Sequence, residues 1–261
     1  MKKTFLLFVM LMTVMTISAQ NRKPGTAQRT KASTTQKART GTVKATPAAV
    51  ATPDKTPEGV EAVDLGLPSG TMWANRNVGA NADDGVGTYF AWGDTGVARS
   101  FGWSVYKWAK NTRSGNFGGF TKYNNDSSFG VVDKKSVLEA ADDAAHVNWG
   151  GKWSMPTEAD VQELLAGTST KRVTSNSGVN GVLLTSKTNG NTIFLPAAGY
   201  LETDYSETGG KIGDYWTACI EKSLNGENAR TISFNVDNGG YVSLDYAPRK
   251  RGLTVRPVKR K

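Results

Sequence analysis

One cysteine and one histidine occur in the 261 residues, and their scarcity excludes several kinds of chemistry. Cys219 has no partner for an intrachain disulfide, and a domain of this size buries enough apolar surface to do without one. Set between Ala218 and Ile220, it reads as a small buried hydrophobe in a strand. No Cys/His cluster exists for zinc. Any Ser-His-Asp machinery would need His146, which falls within a helical pattern, and the chain has no strained nucleophile elbow. Gly115, Gly118 and Gly119 neither follow a strand nor open a helix, so they make no phosphate loop. The acid pairs Asp83-Asp84 and Asp142-Asp143 are neighbours on a loop or a helix face, where carboxylates are ordinarily solvated. On this reading the chain has no catalytic residue, metal site or cofactor.

Long hydrophobic runs are also missing. Residues 5–17 form one of about 13, short of the ~20 needed to span a bilayer. Lys2 and Lys3 precede it, and Ser18-Ala19-Gln20 follow with a small residue at the expected cleavage point. Positive charge, apolar stretch and small residue together predict a secretory signal peptide over residues 1–19, and no transmembrane segment in the mature chain. No cysteine stands near the cleavage point to carry a lipid.

Aromatic residues are absent from 20–58, and large aliphatic ones nearly so. A stretch of Thr, Ala, Lys, Gln and Pro buries too little to offset its ordering entropy, which predicts a disordered linker over 20–58. The net charge of +9 is uneven. Residues 21–58 carry eight Lys/Arg against Asp54 and Glu58, and residues 249–261 carry seven basic residues and no acid. The body between is mildly acidic, so the basic pI does not imply specific nucleic-acid binding. The basic ends suggest peripheral association with an anionic surface, alongside a plain spacer role for the linker.

What is present, over 59–261, has the pattern of one mixed α+β domain. Residues 63–67, 71–74 and 88–92 read as strands. From 96 to 130 the chain is Gly-, Ser- and Asn-rich and studded with aromatics, as in a long structured loop. Ser136 and Glu139 have capping-box spacing and predict a helix running to Trp149. Thr157 and Asp160 predict a second helix that ends near Gly167. Further strands are expected at 182–187 and 192–195, joined at Asn189-Gly190, and at 215–220, 231–236, 241–246 and 253–258.

Trp153-Ser154-Met155-Pro156-Thr157-Glu158-Ala159-Asp160 resembles the signature of formylglycine-generating-enzyme-like domains, which have a C-type lectin-like fold. Further pieces occur in order: Val63-Asp64-Leu65-Gly66-Leu67, Tyr89-Phe90-Ala91-Trp92-Gly93, residues 140–149, Phe194-Leu195-Pro196-Ala197-Ala198-Gly199-Tyr200, Tyr215-Trp216 and Val255-Arg256-Pro257-Val258. With them, residues 60–258 are similar to the major paralogous domain first named from Fibrobacter succinogenes and abundant in Bacteroidetes. The resemblance implies a C-type lectin-like fold of two helices and twisted antiparallel sheets, whose N- and C-terminal strands pair. Variable proteins of diversity-generating retroelements share that fold and this type of carboxyl-terminal sequence. They bind ligands between the Trp motif and the final Arg-Pro, here residues 216–256. Two departures matter. A single cysteine cannot support formylglycine chemistry, and the calcium motifs of sugar-binding lectins are absent.

Trp73, Trp92, Trp149, Trp153 and Trp216 lie in the recurrent motifs and are assigned to the core. Trp103, Trp108, Asn235, Asp237, Tyr241, Ser243, Asp245 and Tyr246 are the ligand-binding candidates, because rigid aromatic area beside adaptable polar groups suits a binding surface. Alternation should put Tyr241, Ser243 and Asp245 on one face and Val242 and Leu244 on the other. The expected function is an exported, non-catalytic binding or surface-interaction module of a bacterial envelope. Its ligand would be a glycan, an envelope polymer or a protein. The alternatives are a structural envelope protein without a specific ligand, or an enzyme with an unrecognised site.

Overall fold

Thr157 caps a helix as its spacing predicts. Its hydroxyl accepts the Asp160 N–H, and the Asp160 carboxylate accepts the Thr157 N–H at 2.7 Å. Ser136 and Glu139 do not repeat this. The helix expected from there begins only at Ala144, because Asp143 is the residue whose carboxylate receives the His146 N–H. Residues 140–142 form a single 3-10 turn instead. Asp142 and Asp143, expected to be solvated, are buried.

The computed structural model describes residues 52–203, 209–222 and 226–261, all within one unit spanning 49–261. The expected signal peptide and residues 20–51 of the expected linker lie outside the described residues. In chain order the elements begin with β1 (Ala62–Val63), β2 (Met72–Ala74), β3 (Ala109–Asn111) and β4 (Phe117–Phe120). Then come α1 (Ala144–Trp149), β5 (Trp153–Ser154), α2 (Glu158–Gly167), β6 (Thr168–Thr174), β7 (Asn180–Ser186) and β8 (Thr192–Pro196). The last are β9 (Ile212–Ile220), β10 (Asn228–Asn235), β11 (Val242–Pro248) and β12 (Val258–Lys259). The fold is mixed α+β, and every strand pairing within its sheets is antiparallel.

The sheets run β1-β2-β12-β5, β11-β10-β9, β6-β7-β8 and β3-β4. The last strand therefore does not pair with the first. β12 inserts between β2 and β5, placing Val258 opposite both Trp73 and Ser154. The stretches 88–92 and 253–257, expected as strands, meet instead through the isolated bridge Phe90–Leu253. Asn189-Gly190 does lie between β7 and β8, with Gly190 at φ 77°, but in a longer loop that Asn189 and Asn191 pin to the Asp64 carbonyl.

One apolar cluster gathers Trp92, Trp149, Trp153 and Trp216, and a second gathers Trp73, Val161, Leu164, Tyr215 and Phe234. The aromatic loop makes a third from Phe101, Tyr106 and Phe120, closed by β3 and β4. Cys219 is a buried free thiol in β9, and burial pushes its pKa up.

Two arginines lie inside this framework. The Arg256 guanidinium is fully buried and donates to Asn77 Oδ1 and to the carbonyls of Ala74, Asn75 and Phe194 at 2.8–3.0 Å. Arg249, also fully buried, lies over the Phe120 ring at 3.5 Å and donates to the Tyr123 carbonyl. Arg251 and Lys250 both pair with Glu202, and Arg260 pairs with Asp160. The expected basic carboxyl-terminal patch is thus largely spent on internal structure.

Residues 52–58, assigned to the linker from composition, are laid against α1. The Lys55 N–H donates to the Trp149 carbonyl at 2.6 Å, and the Trp153 indole donates to the Thr56 hydroxyl at 2.7 Å. Composition missed this because the contacts are backbone and hydroxyl bonds, which need no apolar side chains. Gly150 permits them. At φ 67° it bridges Asp54, and a Cβ there would fall 1.9 Å from the Pro53 carbonyl oxygen.

Candidate functional site

Directly opposed residues of antiparallel strands project to the same face. β10 is the middle strand of its sheet, so its register fixes which side chains share a surface. Ser233 stands opposite Asp214 on β9 and Ser243 on β11. Two residues along, Asn235 stands opposite Ile212, and Tyr241 lies one residue before β11, whose last pair with β10 is Phe234–Val242. Two residues the other way, Thr231 stands opposite Trp216 and Asp245. One face of one sheet thus carries three cross-strand rows.

That face changes character along its length. Trp216 and Thr231 are buried, whereas the rows of Ser233 and Asn235 form a concavity of about 360 Å³. Ile212, Asp214, Ser233, Asn235, Asn238, Tyr241 and Ser243 line it, with Phe234 beneath. The opposite face of the sheet holds Tyr215, Ile232, Phe234 and Val242 in the second core cluster. Gly213 leaves room for this packing, since a Cβ there would meet the Phe234 ring at 2.1 Å. The floor of the concavity is therefore rigid, resting on packed aromatics.

Within it, burial pushes the Asp214 carboxyl above its ordinary pKa, as does the nearby Asp245 charge; a hydrogen bond from Ser233 and the charge of Arg251 oppose the rise. Tyr241 stands at the rim with 78% of its surface exposed. Asn235 Oδ1 accepts the Asp237 N–H, which orders the turn that leads toward Tyr241.

Asn235, Tyr241 and Ser243 are thus brought together, and Asp245 follows on the same face. Val242 is buried on the other face and Leu244 half-buried, as the alternation requires. Asp237 is exposed on the turn outside the lining. Tyr246, half-exposed, has the opposite parity to Asp245 and pairs with Arg230. Trp103 and Trp108 are elsewhere. Trp103 stacks on Phe117 at 4.4 Å within the aromatic loop. Trp108 lies edge-on to Tyr123, its ring covered by Lys107 and Lys122. Aromatic residues in a polar loop read as ligand contacts from sequence, but this loop has its own core, which both help to form.

Asp214, Ser233 and Asn238 were missed. The β9 strand was expected to start at Tyr215, one residue too late to include Asp214. Ser233 alternates with buried Ile232 and Phe234, so the signal for it was legible.

The other titratable groups form a separate arrangement. Burial opposes charge on Asp142, but bonds from Lys122, the Tyr123 hydroxyl and Lys107 at 2.5–2.9 Å hold its pKa below the ordinary carboxylate value. His146 uses both ring nitrogens, one with the Thr52 hydroxyl at 2.8 Å and one with the Trp153 carbonyl at 3.1 Å. It thereby ties residue 52 to α1. Among the described residues no group of three or more His, Cys, Asp or Glu is placed to hold a metal ion, and no helix is long and apolar enough to cross a membrane. The chain matches no family model, no curated protein and no solved structure at a significant level.

Proposed function

We propose that this is an exported, non-catalytic ligand-binding module of a bacterial envelope, with the C-type lectin-like fold of the major paralogous domain family that its sequence resembles. The observation that carries the proposal is the polar concavity on β9-β10-β11. A rigid sheet face, apolar beneath, opens at one end into Asp, Ser, Asn and Tyr side chains. Such groups offer shape and several hydrogen bonds without a reactive pair. The concavity also falls mainly within residues 216–256, where the resemblance places ligand contacts; Ile212 and Asp214 extend it upstream.

The test is a binding array of neutral, acidic and amino glycans and envelope polymers, read against wild type and the double variant Tyr241→Ala/Ser243→Ala. Retention of one class by the wild type, with at least ~10-fold weaker binding by the double variant at unchanged melting temperature, supports the reading; tenfold corresponds to about 1.4 kcal/mol. Binding of nothing, or binding indifferent to the double variant, removes the concavity as the ligand site and leaves a structural envelope role.

A further inference from the structure

We propose that the concavity on β9-β10-β11 selects a ligand bearing an amine on a hydroxylated ring, an amino sugar in its free-amine form, with Asp214 as its counter-ion. This rests on the binding reading above and specifies the chemistry of that same site.

The argument begins with the lining. Of the side chains named there, Asp214 alone carries a carboxyl group, and none is cationic. Asp245 adds a further carboxylate in the next row of the same face. The guanidinium whose charge acts on Asp214, that of Arg251, is engaged by Glu202 at 3.1 Å and stacked on the Tyr200 ring at 4.2 Å. Lys211 adjoins the lining in sequence, but its side chain is exposed. A carboxylate held in such a recess lacks a full share of water, and among the described residues Asp214 has no ion-pair partner of its own. An incoming ammonium supplies one, whereas an incoming carboxylate meets like charge.

The remaining groups fit a ring of hydroxyls. Ser233 and Ser243 flank the strand pair beside Asp214, and Asn235 and Asn238 lie toward the turn. Tyr241 offers an exposed aromatic face at the rim, against which the C–H face of a sugar ring can pack. A cation drawn there also gains from the electron-rich ring.

Matched oligosaccharides separate the possibilities: a glucosamine tetramer, the N-acetylglucosamine tetramer of the same backbone, and a galacturonate tetramer. Titration calorimetry on the full mature chain at pH 6, where the sugar amine is largely charged, reads each affinity. The expected order is glucosamine bound at least tenfold more tightly than its N-acetyl counterpart, and galacturonate not bound. Asp214→Asn keeps the shape and removes the charge, so it should abolish the preference for the free amine. Asp237→Asn, outside the lining, should leave that preference in place.

If the N-acetyl and free-amine tetramers bind equally and Asp214→Asn changes neither, the amine assignment is wrong while the binding reading survives. If galacturonate binds best, the charge argument is overturned with the same consequence. If no tetramer binds, the amino-sugar assignment fails; should the wider array also be empty, the binding reading fails with it. Melting curves of both variants show whether a lost signal reflects folding.

Discussion

Leu244 and Ile232 stand opposite each other across β10 and β11, yet they carry different shares of the sheet's stability. Ile232 is fully buried, while Leu244 is half-buried at the margin of the same cluster. Ile232→Ala should therefore fall in the range of about 2–5 kcal/mol for a buried aliphatic cut to alanine, and Leu244→Ala should fall below ~2 kcal/mol. Urea unfolding of the two variants measures this, and an inverted order would mean that Leu244, not Ile232, sits deeper in the cluster. Asp94 makes a different kind of contribution. Burial raises its pKa from 3.8 to about 6, with the Lys107 charge opposing the rise and the Asp142 charge adding to it. For an acid whose folded pKa exceeds its unfolded one, the folded state binds the extra proton. Its stabilising effect is complete below the unfolded value and is lost as pH rises through the folded value. Asp94→Asn should accordingly raise the melting temperature at pH 7.5 and leave it nearly unchanged at pH 4. A variant less stable than wild type at pH 7.5 would show that the charged carboxylate is bonded in the fold.

Residues 52–58 behave as an element despite having no regular structure. Trypsin should cut slowly after Lys55, whose N–H is bonded to Trp149, and the first stable fragment should begin nearer Ala45, after Lys44. Mass measurement during limited proteolysis reads this directly; rapid accumulation of a fragment starting at Thr56 would place the segment off α1. Gly150→Ala should release the segment, because the added Cβ has no space beside Pro53. The elements also show what a sequence pattern conveys. The cap of α2 was legible because both its donors and acceptors lie within four residues. The start of α1 was not, because Asp143 serves two masters: its carboxylate accepts both the His146 and the Met155 N–H, and the second bond is tertiary. β6 went unseen, since an edge strand with the exposed sequence Thr170-Lys171-Arg172 has little apolar periodicity to read. The polar row of the candidate site was half legible. Alternation revealed Ser243 on β11, but only the register of β9 brings Asp214 beside it.

Across the whole molecule, the two basic ends part company. Residues 20–51 hold seven Lys/Arg and no acid, whereas most of the carboxyl-terminal cations are ion-paired or hydrogen-bonded to the fold. If the positive charge attaches the protein to an anionic surface, removal of 20–51 should abolish the salt-sensitive part of binding to lipopolysaccharide vesicles at unchanged melting temperature, since exposed charges are screened within ~8 Å at physiological ionic strength. Binding that survives both the deletion and 0.5 M salt would sink the electrostatic attachment. Removal of 258–261 is a different operation, because it takes away the strand between β2 and β5. That position of β12 also sets the order of events at birth. A nascent chain makes β2 early and must wait for almost all the remaining residues before the strand between its partners leaves the ribosome. Until then that sheet lacks a middle strand and stays open. A ribosome-stalled chain of residues 1–257 followed by a spacer that clears the exit tunnel should be digested throughout 60–257 by protease, while residues 1–261 on the same spacer should resist. Protection of the shorter chain would show that the core closes without its last strand.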